Sequence, residues 1–89
     1  MSQDTVALLR ERLSTLAPLS TEIIDESHLH AGHAGARDGG GHYRLHIVAE
    51  AFTGKNTLAR HRLVYAAAGD LMRVKIHALI IEARTPAEV

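Results

Sequence analysis

The sequence predicts a single α+β domain in which helices pack on one face of a three-stranded mixed sheet. With 89 residues, the chain has enough apolar surface for one modest core, so residues 1–89 are expected to form one domain. Segments with helical spacing and segments with strand-like alternation follow one another in the order α-β-β-α-β. A composition that is 46% hydrophobic and 22% charged is typical of an ordinary globular domain.

The first predicted element is a helix that is capped by Ser2 or Asp4 and ended by Pro18. Its apolar residues recur every three or four positions, as expected of a helix with one buried face. These residues are Val6, Leu9, Leu13 and Leu16.

Two strands are predicted next. The segment STEIIDES, residues 20–27, is β-branched in its middle and is expected to be buried at Ile23 and Ile24. The segment HYRLHIVAEAF, residues 42–52, alternates apolar and polar residues, which indicates a half-buried strand. Neighbouring strands with a direct connection pair most simply as an antiparallel hairpin. The buried face of the second strand is predicted to hold Tyr43, Leu45, Ile47 and Ala49.

The connection between these strands, residues 28–41, holds five of the seven glycines and three histidines, His28, His30 and His33. This composition predicts a long, flexible hairpin loop. Clustered imidazoles suit metal, anion or proton chemistry, and their spacing permits chelation without requiring it. A solvated tip that tolerates polar residues is the alternative.

A main helix is predicted over residues 55–72, after Gly54 breaks the strand pattern, and Gly69 is placed to end or bend it. One stripe of this helix is expected to be apolar or aromatic. It consists of Leu58, His61, Tyr65, Ala68 and Met72, and Leu63, Val64 and Ala67 are expected to widen the apolar surface.

The last strand is predicted over residues 76–83, IHALIIEA. Because it is apolar on both faces, it is expected to lie inside the sheet. Thr85 followed by Pro86 is a helix-start signal, although little chain follows it.

Composition also bounds the chemistry. The absence of cysteine excludes disulfides and thiolate sites, so any sulfur ligand must come from a partner. Apolar runs such as residues 78–81 fall far short of the roughly 20 residues that a membrane span requires. The N-terminus also lacks a leader pattern, so we expect a cytoplasmic protein without membrane contact. Ten basic and ten acidic residues give no overall field to attract nucleic acid.

The stretches FTGKNTLARHRLVYAAAGDLM and IHALIIEARTP, with DESHLH and HYRL upstream, resemble the BolA family. The likeness runs from about Leu8 to Pro86. It implies a fold similar to class II KH domains, α-β-β-α-β with a closing helix, which agrees with the predicted order. The matching residues are Phe52, Gly54, Arg60, His61, Arg62, Val64, Tyr65, Ile76, His77, Ala78 and Leu79.

The resemblance implies a non-catalytic partner of a monothiol glutaredoxin with a Cys-Gly-Phe-Ser (CGFS) motif, acting in iron–sulfur trafficking or iron and redox regulation. The isolated chain would be a monomer that forms a heterodimer holding a shared [2Fe–2S] cluster. The glutaredoxin cysteine and glutathione would supply sulfur, which fits a chain without cysteine. Because imidazole ligates only when neutral, such a cluster is expected to weaken as the pH falls through about 6.5.

His77 and a loop histidine would supply the imidazoles. Counting forward from DES selects His30, and counting back from HYRL selects His33, of which His30 is preferred. For a lone strand histidine such as His77, a hydrogen-bonded structural role would be the usual interpretation. The family resemblance reverses that preference.

Nucleic-acid binding is the second interpretation. Residues 53–75 hold five cations against one acid, and the family is also regarded as helix-turn-helix-like DNA-binding regulators. Against this, the excess is modest, aromatic residues are scarce, and FTGK stands before the main helix in place of the GXXG loop on which class II KH proteins usually rely. The residues expected to contact a partner or phosphates are Lys55, Arg60, His61, Arg62, Arg73 and Lys75; for His61, a structural role holding helix to sheet is the alternative.

Catalysis is the third class. Asp25 and Glu26 with the histidines form a conceivable acid–base set, but a sheet this small offers no deep cleft to perturb them. We therefore expect that this protein is not an enzyme. The acidic pair is expected to close the strand or to orient a histidine.

Overall fold

The computed structural model describes residues 2–27 and 41–89, with side chains from Thr5 onward. Of the predicted loop over 28–41, only Gly41 is therefore described, and it begins a strand. None of the helices in these ranges is long and apolar enough to cross a bilayer. The elements are α1 (Ser2–Leu13), β1 (Ser20–Asp25), β2 (Gly41–Val48), α2 (Thr57–Ala68), α3 (Leu71–Val74) and β3 (Ile76–Arg84), with 3₁₀ turns at Ser14–Leu16, Glu50–Phe52 and Pro86–Glu88.

The three strands form one mixed sheet in the order β1-β2-β3. β1 and β2 pair antiparallel, which confirms the predicted hairpin, and β2 and β3 pair parallel. A parallel neighbour requires a crossover connection, which α2 and α3 provide. The prediction that β3 lies inside the sheet is wrong, because β2 is the central strand and β3 is at an edge.

The core lies between the sheet and the helices. The predicted alternation of β2 is confirmed, since all four residues expected on its inner face are buried. In β1, Ile23 packs against this core, but Ile24 is 37% exposed. Adjacent strand residues point to opposite faces, so the prediction that both are buried is wrong for Ile24. The buried apolar residues are Leu9, Leu13, Tyr43, Leu45, Ile47, Ala49, Phe52, Val64, Ala68, Leu71, Ile76 and Ile81.

Helix α2 contacts the core through part of the predicted stripe and through the residues predicted to widen it. Val64 and Ala68 are fully buried, whereas Leu58 is 60% exposed and Tyr65 is 43% exposed. Ala68 and Met72 therefore pack as predicted, as do the residues expected to widen the stripe, Leu63, Val64 and Ala67. Leu58 and Tyr65 lie on the side of the helix that faces solvent.

The ends of the helices follow local sequence signals. The Asn56 side chain caps α2 by accepting a hydrogen bond from the Ala59 amide at 2.9 Å. At the other end, Gly69 adopts a φ of +60°, which a glycine tolerates best, and the predicted end of the helix is confirmed. The helix signal at Thr85 and Pro86 produces a single 3₁₀ turn.

Candidate metal-ligand site at one end of the sheet

A β-bulge shapes the start of β3. Gly41 pairs with Ile76, but the next residue of β2, His42, pairs with Ala78. His77 is therefore an extra residue in the parallel ladder, and its side chain is exposed. Bulges are rare in parallel pairs and commonly redirect a side chain beside a functional site. This bulge places the imidazole of His77 at the surface.

The imidazole of His77 lies beside that of His42. Their ring centroids are 5.0 Å apart, and the ring planes are inclined by 47°. His42 is half-buried on the sheet face that points away from the core, whereas His77 is exposed. The end of the sheet thus presents two neighbouring imidazoles, one of them accessible from solvent. Imidazole nitrogen is a good ligand for iron, zinc and copper.

Residues on either side of the histidine-rich segment, residues 28–40, lie beside this pair of histidines. The amide of His42 donates to the Ser27 hydroxyl at 3.0 Å, and the Gly41 amide donates to the Lys75 carbonyl at 3.1 Å. Segment 28–40 therefore leaves β1 and enters β2 at the same end of the sheet that holds His77. The predicted ligands His30 and His33 lie in this segment, outside the described residues. Which of them takes part stays a prediction.

The donor set is compatible with one part of a shared metal site. In the two ranges that the structure describes, no group of three or more histidine, cysteine, aspartate or glutamate side chains is arranged to hold a metal ion. The accessible imidazole of His77 nevertheless has the chemistry of a nitrogen ligand to one iron of a cluster. His77 therefore fits an iron–sulfur cluster as a donor of imidazole nitrogen.

The outer sheet face beyond the histidine pair carries a network of ion pairs. Arg44 lies 3.0 Å from Glu26 and 4.0 Å from Glu82, and Glu82 is also 3.4 Å from both His46 and Arg84. These groups are partly solvent-exposed, so each pair contributes little stability. Glu26 thus forms an ion pair with Arg44 on the partly exposed outer face of the sheet.

Asp25 closes the end of β1. Its carboxylate accepts a hydrogen bond from the Ser27 amide at 2.9 Å. Such a contact satisfies a backbone donor where the strand ends. This position agrees with the expectation that the acidic pair serves the strand end.

The cations of residues 53–75 divide into two groups. Arg60 is tied down, since its guanidinium binds Glu88 in a bidentate pair at 2.7 and 3.0 Å and donates to the carbonyls of Lys55 and Ala83. Only 15% of its side chain is exposed. It therefore joins α2 to the end of β3. His61 is half-buried on α2, and the exposed members of the predicted set are Lys55, Arg62, Arg73 and Lys75.

The Arg60–Glu88 pair predicts an acid-sensitive part of the stability. Hydrogen bonds from Arg60 and from the Thr85 amide lower the pKa of Glu88 from 4.5 to about 2. The folded state therefore holds this proton more weakly than the unfolded state, and the pair stabilises the fold at pH values above 4.5. We expect that stabilisation to be lost as the pH falls from 4.5 towards 2.

Urea unfolding at a series of pH values measures this loss. The Glu88→Gln variant is expected to lose less stability than the wild type over this pH interval. The Glu22→Gln variant, altered at an exposed carboxylate of β1, serves as the control and is expected to follow the wild type. Equal pH slopes for Glu88→Gln and the wild type would contradict the assignment.

The sequence of this chain matches a known protein family. A family model described as BolA-like protein matches residues 13–88. The chain belongs to the BolA-like family. Among solved structures, the BolA domain of SufE1 from Arabidopsis thaliana is 45% identical, with 91% of each chain covered and a TM-score of 0.79. BolA1 from the same plant is 34% identical, with 96% of this chain and 95% of that chain covered and a TM-score of 0.80.

The curated relatives of this BolA-like chain differ in length. SufE-like protein 1 of Arabidopsis thaliana is 46% identical over 91% of this chain, but the chain spans only 24% of that protein. It spans 56% of Protein BOLA1 from the same plant. The DNA-binding transcriptional regulator BolA of Escherichia coli is 30% identical over 88% of this chain and 76% of its own length. The shared part is thus the BolA-like domain, whose α+β fold the solved structures confirm.

Sequence reasoning found His77 but missed His42 as its neighbour. The alternation of β2 already placed His42 on the outer face. What the sequence lacked was the register of β3, because the bulge that brings His77 beside His42 has no periodic signal.

Proposed function

We propose that this BolA-like domain is a non-catalytic partner of a monothiol CGFS glutaredoxin and shares a [2Fe–2S] cluster with it. The observation that carries the proposal is the accessible imidazole of His77. It lies at a β-bulge, at the end of the sheet where the histidine-rich segment begins and ends. The family resemblance supplies the class of partner.

The family resemblance implies the division of ligands, and the composition fits it. With no cysteine of its own, the chain contributes imidazole from His77 and from His30, with His33 as the substitute. The glutaredoxin cysteine and glutathione contribute sulfur. Histidine in place of thiolate raises the reduction potential of such a cluster, which suits a role in cluster transfer or in iron and redox sensing.

Nucleic-acid binding by a transcriptional regulator is the second candidate. It is favoured by the Escherichia coli relative, whose name describes a DNA-binding transcriptional regulator. The exposed cations Lys55, Arg62, Arg73 and Lys75 are available for phosphate contacts. Arg60 contributes less to such a surface, because its guanidinium is occupied by Glu88.

Visible absorption and circular dichroism test the first proposal. A cluster-loaded CGFS glutaredoxin is titrated with the wild-type chain and with His77→Ala, and only the wild type is expected to change the cluster spectrum. His46→Ala is the matched control, because His46 also lies on the outer face of the sheet, where it faces Glu82. It is expected to behave as the wild type does.

The position of His77 at the bulge allows its ligand role to be tested without disturbing the fold. Since the His77 side chain is exposed, the alanine variant is expected to keep its far-ultraviolet spectrum. A spectral change that is equal for His77→Ala and the wild type would contradict ligation by His77. If neither chain changes the cluster spectrum, the shared cluster fails and nucleic-acid binding becomes the leading candidate.

A further inference from the structure

We infer that His42 is a positioning residue, whose ring holds the imidazole of His77 in the orientation that ligation requires. The inference rests on the proposed function, since it assigns a role beside the proposed ligand. It names a residue of β2 that lies outside the histidine-rich segment. His42 acts through ring packing, and His77 supplies the nitrogen.

The first support is the register of β2 and β3. In an uninterrupted ladder each residue of β3 would face one residue of β2, and neighbours would alternate between the two faces. The bulge instead sets two residues, His77 and Ala78, against His42. Ala78 has only a methyl group, which leaves the space beside His42 to the larger ring of His77.

The second support is the ring contact itself. A centroid separation of 5.0 Å with a tilt of 47° lies within the 4.5–7 Å range of favourable contacts between aromatic rings. The His42 side chain is half-buried. Its backbone is fixed on both sides, by hydrogen bonds with Ser27 and Glu26, which follow β1, and by pairing with Ala78 of β3. The ring at position 42 is therefore the fixed member of the pair.

The third support is the mobility that His77 would otherwise have. An exposed side chain on a bulge loses rotamer entropy when it binds a ligand, and a neighbouring ring that already restricts the rotamer lowers this cost. Residues that orient a metal ligand commonly change metal affinity by about 10- to 100-fold when they are replaced. We expect an effect of this size from removing the ring at position 42.

The test compares His42→Ala with His42→Phe, which keeps a ring but has no nitrogen. In the isolated chain, nuclear Overhauser contacts and side-chain couplings report the rotamer of His77 without any partner. His77 is expected to hold one rotamer in the wild type and in His42→Phe, and to average among rotamers in His42→Ala. Amide spectra of each variant show whether the fold is kept.

The same three proteins are then titrated into cluster-loaded CGFS glutaredoxin. His42→Phe is expected to bind the cluster like the wild type, and His42→Ala about 10- to 100-fold more weakly. Equal weakness of both variants would overturn the inference and make His42 a ligand, and an averaged His77 rotamer in the wild type would also overturn it. If the rotamers behave as expected but the wild type leaves the cluster unchanged, the positioning contact stands and the proposed function fails.

Discussion

Replacing Phe52 with alanine is expected to lower the free energy of unfolding by about 3–5 kcal/mol. Phe52 lies in the 3₁₀ turn between β2 and α2 and is 0% exposed. Among the described residues it is the largest side chain that is fully buried. It is also the only phenylalanine in a chain without tryptophan, and its replacement by alanine leaves a cavity in the core. The free energy of unfolding of a native domain is about 5–15 kcal/mol, so this loss is a large share of the total.

Urea unfolding monitored by far-ultraviolet circular dichroism measures this loss. Leu58→Ala is the matched control, since Leu58 is a large apolar residue with 60% of its surface exposed. Its effect is expected to stay within about 0.5 kcal/mol. Comparable losses in the two variants would show that the core is not centred on Phe52.

Gly41→Ala is expected to destabilise the fold by about 1–3 kcal/mol, as overpacking of a tight interior does. A methyl group at this position would lie 2.5 Å from Cε2 and from the hydroxyl of the Tyr43 ring. The ring is 3% exposed, so it has little room to move away. Because Gly41 pairs with Ile76, the residue before the bulge, the shift should also reach the pair of His42 and His77.

A double-mutant cycle tests the cause. Tyr43→Leu removes the ring atoms that the new methyl group would meet, so Gly41→Ala should cost less in that background than in the wild type. The unfolding free energies of the four proteins give the coupling, and amide spectra report any shift at His77. Additive effects of the two substitutions would contradict a clash between these residues.

The order of elements and the inner face of β2 were predictable from the sequence because they depend on local spacing. Tyr43, Leu45 and Ile47 alternate with polar residues over a full strand, and burial follows this pattern. The hairpin was predictable for a similar reason, since neighbouring strands usually pair. Both features depend only on residues that are close in the chain.

The edge position of β3 was not predictable, because the bulge changes which residues point inward. Ile76 faces the core before the bulge, whereas Ile81 faces it after the bulge, five residues later. An uninterrupted strand would send these two side chains to opposite faces. The sequence of β3 therefore looks apolar on both faces and imitates an interior strand.

The buried side of α2 was predicted only in part, for a different reason. The helix has several apolar residues around its circumference, so spacing alone allows more than one inward face. Packing against the sheet selects Val64 and Ala68 and leaves Leu58 and Tyr65 outside. Similarly, nothing local distinguished the tied Arg60 from the exposed Arg62, because the partner of Arg60 lies 28 residues away.

The bulge at His77 also has a consequence for how such a domain can evolve. A functional residue built into a core strand faces a trade-off, because a change that suits its chemistry usually harms the packing. Here the exposed residue is an extra one in the ladder, and the core positions of β3 are held by Ile76 and Ile81. The residue at this position can therefore be replaced at little cost to stability, and the fold does not depend on the chemistry proposed for His77.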